Sequence, residues 1–294
     1  DGGIKWTQAT VPVQSDLTAV SFPDAQHGWA VGHDGVVLAS SDAGATWVKQ
    51  LNGRQIGPLM VAYYQKNPPV GWPAADIARL QANAQRFVTD GPDKPLLDVW
   101  FKDALHGFAV GAFNLVLKTD DGGRTWIPWF DRTENPKMYH LYAIRPVGSD
   151  VYIAGEQGLL MKFDAQAQHF RAVPLPYKGT LFGVAGDEHA VIAFGLRGTA
   201  LRSIDDGAHW SQVATGTQAS LTTSARDANG DLILMGQNGQ VLDSKDDGAT
   251  YSDIPLDQRI ATGAMIMLDG SHALLAGPRG LHRVTLNLAA QSRP

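Results

Sequence analysis

The sequence predicts an all-β fold, a single β-propeller of four-stranded blades, and two regularities carry this prediction. First, strand-like segments begin at residues 141, 181, 221 and 261, so the second half of the chain repeats every 40 residues. Second, most repeats contain the pattern S/T-x-D-x-G-x-x-aromatic, a turn motif called the Asp-box. Repeats of this length that cannot bury a core alone are typical of propeller blades. Six repeats indicate six blades, with seven as the alternative.

Each repeat begins with two strands, the second of which ends on glycine. The first strands are expected at residues 17–22, 96–101, 141–145, 181–185, 221–225 and 261–265. The second strands include residues 28–32, 107–111, 151–155 and 232–236. A G-x-x-G-like turn then leads into the third strand, and glycine suits such turns because tight hairpins require a positive φ.

The Asp-boxes follow the third strands at residues 40–47, 119–126, 203–210 and 244–251. Their aspartates can accept backbone N–H groups inside the turn, and their glycines supply the turn geometry. We expect the aromatic residue to begin the fourth strand and to be buried between sheets, which stabilises the fold by about 2–3 kcal/mol per ring. The structural box residues are Asp42, Trp47, Asp121, Trp126, Asp205, Trp210, Asp246 and Tyr251. The third repeat is degenerate and keeps only its aromatic residue, Phe170.

The two ends of the sequence complement each other. The sixth repeat stops after its third strand, at residues 281–286, while residues 1–6 have the spacing D-x-G-x-x-W. We therefore predict that the segment from Trp6 onward is a fourth strand that completes the last blade and closes the ring. Closure removes the exposed sheet edges on which chains aggregate.

An insertion at about 51–95 interrupts the repeats between the first and second blades. Residues 73–88 predict one helix, with Pro73 at its start and apolar residues along one side. Residues 58–64 before it are apolar and aromatic, and a shorter extension occupies residues 129–139. The whole of 1–294 is nevertheless expected to form one domain. Long insertions in compact domains are more often functional than decorative, although a packed surface decoration is the alternative.

Both extensions join a fourth strand to the next first strand, so they belong to the face that carries the turns between second and third strands. We call this the turn face; the Asp-boxes lie on the opposite face. One polar residue per blade is expected near the axis of the turn face: Asp34, Asn114, Gln157, Arg197, Asn238 and Arg279. This predicted ring is either a functional surface or a set of ordinary polar turn residues.

Exposed aromatic residues and arginines are the usual anchors of protein interfaces. The candidate partner-binding residues beside the polar ring are Tyr63, Tyr64, Trp72, Phe87, Trp129, Phe130, Tyr139, Arg197 and Arg279. Alanine changes at Tyr64, Trp72 and Arg197 are expected to alter partner capture from extracts.

Composition excludes several classes of function. A net charge of -5 and a pI near 6.0 give no overall basic field, so nucleic acid is a poor candidate partner. The absence of cysteine excludes disulfides and thiolate metal sites. No apolar run is long enough to insert into a membrane. No metal-ligand or nucleotide motif is present, so we expect neither a metal nor a cofactor. The protein is expected to be a monomer when it is alone.

Glycoside hydrolysis is the enzymatic alternative, because Asp-boxes also occur in sialidases. It requires two opposed carboxyl groups about 5–9.5 Å apart, and the box aspartates are turn residues on the wrong face. Arg145, Arg197 and Arg279 could bind a substrate carboxylate as in sialidases, but no Tyr/Glu pair is marked beside them. Likewise, His27 and His106 are interpreted as repeated turn residues and not as metal ligands.

The segments 22–32 and 101–111, FPDAQHGWAVG and FKDALHGFAVG, together with the boxes that follow them, resemble the photosystem II stability/assembly-factor-like family of β-propellers in the BNR (Asp-box) class. The resemblance covers most of the chain outside 51–95. It implies a non-enzymatic scaffold that helps to assemble membrane protein complexes from the lumenal or periplasmic side. The family's propellers are typically seven-bladed with an arginine-rich turn face, and only Arg197 and Arg279 match that feature here.

The sequence thus predicts an exported, periplasmic or secreted scaffold, whose signal peptide has been removed, that binds a protein partner. The partner would be a membrane complex or, as in bacterial non-photosynthetic relatives, a transporter of the resistance-nodulation-division type. The alternative is a glycan or small-molecule binder, or a sialidase-like hydrolase, that uses the central cavity.

Overall fold

A computed structural model describes residues 2–288, and strands make up most of its regular structure. In the first half the strands are β1 Leu17–Ser21, β2 Gly28–Gly32, β3 Val37–Ser40, β4 Val48–Leu51, β5 Leu96–Phe101, β6 Gly107–Gly111, β7 Val116–Thr119, β8 Ile127–Pro128, β9 Leu141–Val147, β10 Asp150–Gly155, β11 Leu160–Asp164 and β12 His169–Ala172. In the second half they are β13 Leu181–Gly186, β14 Val191–Gly195, β15 Ala200–Ser203, β16 Ser211–Val213, β17 Leu221–Arg226, β18 Leu232–Gly236, β19 Val241–Ser244, β20 Ser252–Ile254, β21 Ala264–Met267, β22 His272–Gly277 and β23 Gly280–Thr285. Two α-helices, α1 Gly53–Lys66 and α2 Ala74–Thr89, separate β4 from β5.

The strands form six sheets, and each sheet uses strands in their chain order. Within residues 2–288, five sheets have four strands and the sixth has three, β21–β23. Neighbouring strands are antiparallel, as in the pairing of β14 with β13 and β15. Consecutive antiparallel strands of this number are the arrangement of propeller blades, which confirms the predicted all-β class and the count of six.

The chain divides into two compact units of contacts. The first unit comprises Gln8–Ile144 and Asp164–Arg171, and so holds the first two blades and both helices. The second unit comprises Arg145–Phe163, the chain from Ala172 onward and the N-terminal residues through Thr7. The boundary passes through the third blade, whose strands β9–β12 contribute to both units.

The Asp-box is a closed set of local hydrogen bonds, as the box of the second blade illustrates. The Thr119 hydroxyl donates to Asp121 Oδ1 at 2.9 Å and accepts the Gly123 N–H at 2.8 Å. The Asp121 carboxylate in turn accepts the N–H of Thr125 at 2.9 Å and its hydroxyl at 2.6 Å. The same pattern recurs around Asp42, Asp205 and Asp246. These bonds lower the pKa of the box aspartates, in the cases of Asp42 and Asp205 to about 2.

Two of the four box turns also accept a hydrogen bond on a backbone carbonyl from the blade before them. The carbonyl of Gly122 accepts the Trp29 indole N–H at 3.2 Å and the Gln50 amide at 2.8 Å. In the second unit the Asp247 carbonyl accepts Arg202 Nε at 2.7 Å. The acceptor residues Gly122 and Asp247 both have positive φ, of 72° and 53°. In these two boxes the left-handed residue is therefore a point at which the preceding blade is attached.

The expectation that every box aromatic is buried is wrong for three of the four. Trp126 is buried and packs edge-on against Phe101. Trp47, Trp210 and Tyr251 are only half-buried. The indole N–H groups of Trp47 and Trp210 donate to the carbonyls of their own box glycines at 3.0 and 2.9 Å. This bond holds each indole against its own turn, so the ring covers the turn instead of entering the space between sheets.

The predicted closing strand is not formed among the described residues. Residues 2–9 carry no strand, and β23 has no fourth strand beside it within residues 2–288. Gly2 and Gly3 both have positive φ, which gives a turn and not an extended backbone. The second half of an Asp-box is nevertheless present, because the Trp6 indole N–H donates to the Gly3 carbonyl at 3.0 Å. Asp1, the expected box aspartate, lies outside the described residues.

The insertion contains two helices, so the prediction of a single helix at about 73–88 was incomplete. α2 confirms that helix, whereas α1 includes the apolar segment 58–64, for which the sequence predicts no secondary structure. Asn52 begins α1 as a capping box, accepting the Arg54 N–H at 3.0 Å while Gln55 accepts the Asn52 N–H. Pro58 inside the helix concealed it from sequence analysis, since proline removes one helical hydrogen bond.

The hydroxyl of Thr119 is the feature of the second box whose removal should be costly. Thr119 is fully buried, so Thr119→Val leaves the Gly123 N–H without its acceptor at constant side-chain shape. We expect the free energy of unfolding in urea to fall by about 1–3 kcal/mol. Thr125→Val in the same box removes an exposed hydroxyl and serves as the control. Equal losses in the two variants would contradict the stabilising role of the buried hydroxyl.

Candidate functional site

The two helices of the insertion lie across the first two blades. At its start, α1 meets the turn after β2, where a Cβ on Gly53 would lie 2.7 Å from the Asp34 carbonyl. Ile56, Met60 and Tyr64 follow at intervals of four residues and are all buried. The last turn of α1 lies at the outer strand β8, where the Tyr64 hydroxyl is 3.3 Å from the Pro128 carbonyl. The insertion therefore runs from the inner turn of the first blade outward to the edge of the second.

The phenol of Tyr64 connects the insertion to the extension at 129–139. Its hydroxyl donates to Asp131 Oδ1 at 2.9 Å and accepts the Phe130 N–H at 3.0 Å. Burial, followed by the charge of Asp131, raises the pKa of the Tyr64 phenol well above its usual value. Burial also raises the pKa of Asp131. The two extensions of the turn face are thus one packed structure held by a buried polar contact.

Four of the predicted partner-binding aromatics belong to that packed structure and are not available to a partner. Tyr64, Phe87, Trp129 and Phe130 are buried, with Phe87 and Phe130 packed edge to face. Their expected exposure was wrong because the aromatic residues of the insertion and of the extension cover one another. Trp129 is also enclosed by cations, with Lys118 Nζ 5.3 Å and the Arg132 guanidinium carbon 5.0 Å from its ring.

The remaining predicted aromatics are accessible. Trp72 is exposed, and Tyr63 and Tyr139 are half-buried, with Lys137 Nζ 5.8 Å from the Tyr139 ring. Arg197 and Arg279 are exposed in the second unit, and so is Arg145. These side chains are accessible, and their contact with a partner stays a prediction.

The turns between second and third strands repeat one strained backbone shape. Asp34, Gln157 and Arg197 occupy the same turn position with φ of 56°, 55° and 57°. Asn238 and Arg279 occupy the corresponding position in the sequence pattern of the last two blades. Asp34 lies in the first unit, and Gln157, Arg197, Asn238 and Arg279 lie in the second. A ring formed by all blades stays a prediction.

Asn114 was assigned to the wrong position of its turn. Phe113, with φ 56°, stands where Asp34 stands in the first blade, and Asn114, with φ 62°, replaces the turn glycine. Asparagine tolerates this left-handed conformation better than most residues, which explains how the glycine is lost. Asn114 is buried, donates to Thr133 at 2.8 Å and accepts from Asn135 at 3.0 Å. It is therefore a structural residue under the turn face and not a surface residue.

Phe113 is the residue that sequence analysis missed. It is 42% exposed, although a bulky residue with positive φ is a backbone outlier of the kind that clusters at functional sites. The His140 ring lies 4.6 Å from it, and the Tyr142 ring lies 6.4 Å from His140. Lys94 Nζ is 5.5 Å from the Phe113 ring and pairs with Asp90 at 3.3 Å. We call Phe113, His140 and Tyr142 the aromatic cluster; all three belong to the first unit.

In the second unit, the face that carries the Asp-boxes has a polar cleft of about 450 Å³. Asp187 and Arg226 form an ion pair of 2.8 Å in its wall, and Asp231 and Lys245 also line it. Nearby, Asp243 is buried, and its Oδ1 has no hydrogen-bond partner among the described residues. Burial, then the charge of Asp231, raises the pKa of the Asp243 carboxyl.

The histidines and the box aspartates have local structural roles. His27 and His106 each contact the aspartate three residues earlier, with Nδ1 to oxygen distances of 2.9 Å in both. Residues 2–288 contain no group of three His, Asp or Glu side chains arranged to hold a metal ion. Their lowered pKa values make the box aspartates unsuited to the general acid role in glycoside hydrolysis. In that same described range no helix is both long and apolar enough to cross a membrane.

The chain matches one protein family over most of its length. The family described as "Photosynthesis system II assembly factor YCF48" matches residues 3–57 and 79–235, so the helical insertion accounts for the gap. A curated relative, the photosystem II assembly lipoprotein Ycf48 of Synechococcus sp. (strain CC9902), is 28% identical over 158 residues. That match covers 52% of this chain and 47% of the relative, so the chain matches about half of the relative's length.

Solved structures with the same fold include a member of that family and an enzyme. A structure titled "YCF48 bound to D1 peptide" has a TM-score of 0.61 and 17% identity, and covers 95% of this chain and 81% of that one. The Niastella koreensis GH74 enzyme has a TM-score of 0.58 and 14% identity, with 93% and 37% covered. These likenesses show the propeller fold alone, because one fold carries both functions.

Tyr64→Phe should loosen the contact between the insertion and the extension without emptying the core. It leaves the Phe130 N–H and the Asp131 carboxylate without the phenol, so we expect amide hydrogen exchange at residues 130 and 131 to accelerate by roughly 5- to 150-fold, for a loss of about 1–3 kcal/mol. Tyr63→Phe is the matched control, since among the described residues the Tyr63 hydroxyl makes no bond to that extension. Unchanged exchange in Tyr64→Phe would mean that apolar packing alone holds the extension.

Asp243→Asn should raise stability at neutral pH. The pKa of Asp243 is raised in the folded state, so the folded protein favours the protonated carboxyl. The contribution of this carboxyl to the free energy of unfolding is therefore fully present at low pH and is lost as pH rises through the folded-state pKa. The neutral amide removes the buried charge, so we expect a higher melting temperature at neutral pH. The gain should shrink near pH 3.8, the ordinary Asp pKa. The exposed Asp257→Asn is the control, and an equal gain at both pH values would refute the electrostatic cause.

Proposed function

This chain belongs to the YCF48 family of photosystem II assembly factors, and from that membership we propose that it is a non-enzymatic scaffold that binds a segment of a membrane protein complex during assembly or operation. The family is named for an assembly role and not for a catalytic activity. The solved relative whose title names a bound D1 peptide supports a protein segment as the ligand class.

The observation that carries the proposed binding surface is the aromatic cluster, in which Phe113 is exposed and His140 and Tyr142 are half-buried. Other blades place a polar residue such as Asp34, Gln157 or Arg197 at the strained turn position, whereas the second blade places Phe113 there. The strain costs roughly 1–3 kcal/mol, and burial of the side chain offsets it only in part, because the Phe113 side chain stays 42% exposed. A bound segment that covers the ring would recover more, since aromatic side chains are enriched among interface anchors.

Residues beside the cluster give the surface its polar rim. Tyr139 and Lys137 lie in the neighbouring extension, and Lys94 lies beneath Phe113 with its charge paired to Asp90. We propose that this part of the first unit, with Tyr63 and Tyr139, contacts an extended segment of the partner. Arg197, Arg279 and the polar turn residues of the second unit remain proposed contacts for acidic parts of the same partner.

The location and the partner class follow from relatives and are proposals for this chain. The curated relative is a lipoprotein, which favours the extracytoplasmic side of a membrane, periplasmic in a bacterium with two membranes. A transporter of the resistance-nodulation-division type is one membrane complex that the binding experiment below could identify as the partner.

A photo-crosslinking amino acid at position 113 tests this proposal directly. p-Benzoylphenylalanine preserves the aromatic ring of Phe113, so crosslinks formed in intact envelopes should map to a segment of an integral membrane protein. The same amino acid at Leu105, which is exposed beside the box of the second blade, is the matched control. Once the partner is identified, Phe113→Asn should lower the amount of this partner that is captured by roughly tenfold, as expected for an anchor worth about 1.4 kcal/mol or more. Crosslinks that are equal at both positions, or confined to soluble proteins, would reject the surface.

A further inference from the structure

The loop that joins the two helices exposes apolar side chains that the fold does not need. Val70 is 100% exposed and Trp72 is 38% exposed. Residues 67–75, with the sequence NPPVGWPAA, contain no charged residue. We call this segment the hairpin tip.

The hairpin tip is mounted on a rigid support. α1 and α2 approach so closely that a Cβ on Gly57 would lie 2.7 Å from the backbone at Phe87 and Val88. Leu80 and Ala84 of α2 are buried together with the inner side of α1. At 1.5 Å per residue each helix extends about 20 Å, so the tip lies well away from the turn where α1 begins. The exposed side chains are therefore held outward by a packed hairpin.

We propose that the hairpin tip contacts a lipid surface, with Val70 and Trp72 entering the boundary between headgroups and acyl chains. Pro68, Pro69 and Pro73 have no backbone N–H, so this loop carries fewer donors that would lose hydrogen bonds to water in an apolar environment. Tryptophan is enriched at this boundary because its ring is apolar and its indole N–H can still donate. Within residues 2–288 the Trp72 indole has no protein hydrogen-bond partner, so it can donate to a lipid oxygen.

The same features favour lipid over a pocket of a protein partner. Strand addition by an extended loop uses backbone N–H groups, and three of the six residues 68–73 are prolines that cannot supply them. The prolines also restrict the free loop, which lowers the entropy lost on insertion. Near the tip, Lys66 is exposed, while Arg79 is paired with Asp76 at 3.0 Å. One unpaired cation gives little attraction to anionic lipid, so binding should depend on apolar partition and vary little with salt.

The cysteine-free sequence permits a direct test with a single label. The full chain with Val70→Cys carries an NBD dye and is tethered by a terminal hexahistidine to vesicles of phosphatidylcholine with nickel-chelating lipid. The tether raises the effective concentration of the surface, so that a weak insertion is measurable. Leu105→Cys, exposed beside the Asp-box of the same unit, carries the control dye.

We expect the emission at position 70 to shift to shorter wavelength and to be quenched by brominated lipid, while position 105 does neither. Adding phosphatidylglycerol or salt should leave the shift unchanged. Trp72→Ala in the Val70→Cys protein should weaken untethered partition roughly tenfold, as expected for an aromatic side chain. No shift on tethered vesicles, or a shift only with a detergent-solubilised membrane complex, would overturn the proposal. Protein-free vesicles keep this result separate from the partner crosslinking at position 113.

Discussion

The Asp-box turn is the interaction on which the rest of the fold depends. It satisfies its own backbone donors through a buried hydroxyl and a carboxylate, as Thr119 and Asp121 do. It also offers a backbone carbonyl, such as that of Gly122, to the blade before it. One short turn thereby ends a hairpin and joins two sheets. A small four-stranded sheet cannot bury its two faces alone, so apolar contacts between blades stabilise the repeats together, and this joint adds directional bonds to them.

The insertion uses a different means of attachment. Apolar burial along α1 and α2 supplies most of the contact, and the Tyr64 phenol adds directional bonds to Phe130 and Asp131. A buried phenol is costly without partners, so this contact fixes where the extension lies. The turn face of the first unit is consequently a built surface, in which buried aromatics position the exposed ones.

Repetition explains how much of the fold was predictable. The all-β class and the blade count could be predicted from six first-strand segments, four Asp-boxes and the glycine turns. An error in reading one repeat is corrected by the other repeats. The insertion occurs once, so Pro58 concealed α1, and the burial of Tyr64 depended on an extension 65 residues later that no local pattern reveals. Phe113 was missed for the converse reason, because Asn114 matched the polar residue of the other turns. Only the backbone shows that Asn114 stands one position later, in place of the turn glycine. The signal in the sequence was the spacing from Gly111, since Asn114 lies three residues after it, as the turn glycine Gly35 lies three residues after Gly32.

The joint between blades recognises a main-chain atom, and this has a consequence for how such chains change over time. The carbonyl of Gly122 or Asp247 is presented by any residue that accepts a left-handed conformation, so the receiving side of the joint imposes no particular side chain. A duplicated or transferred repeat would carry a compatible receiving site with it from the outset. Blade number can then differ between relatives while the joint is inherited unchanged, as a geometry and not as a sequence.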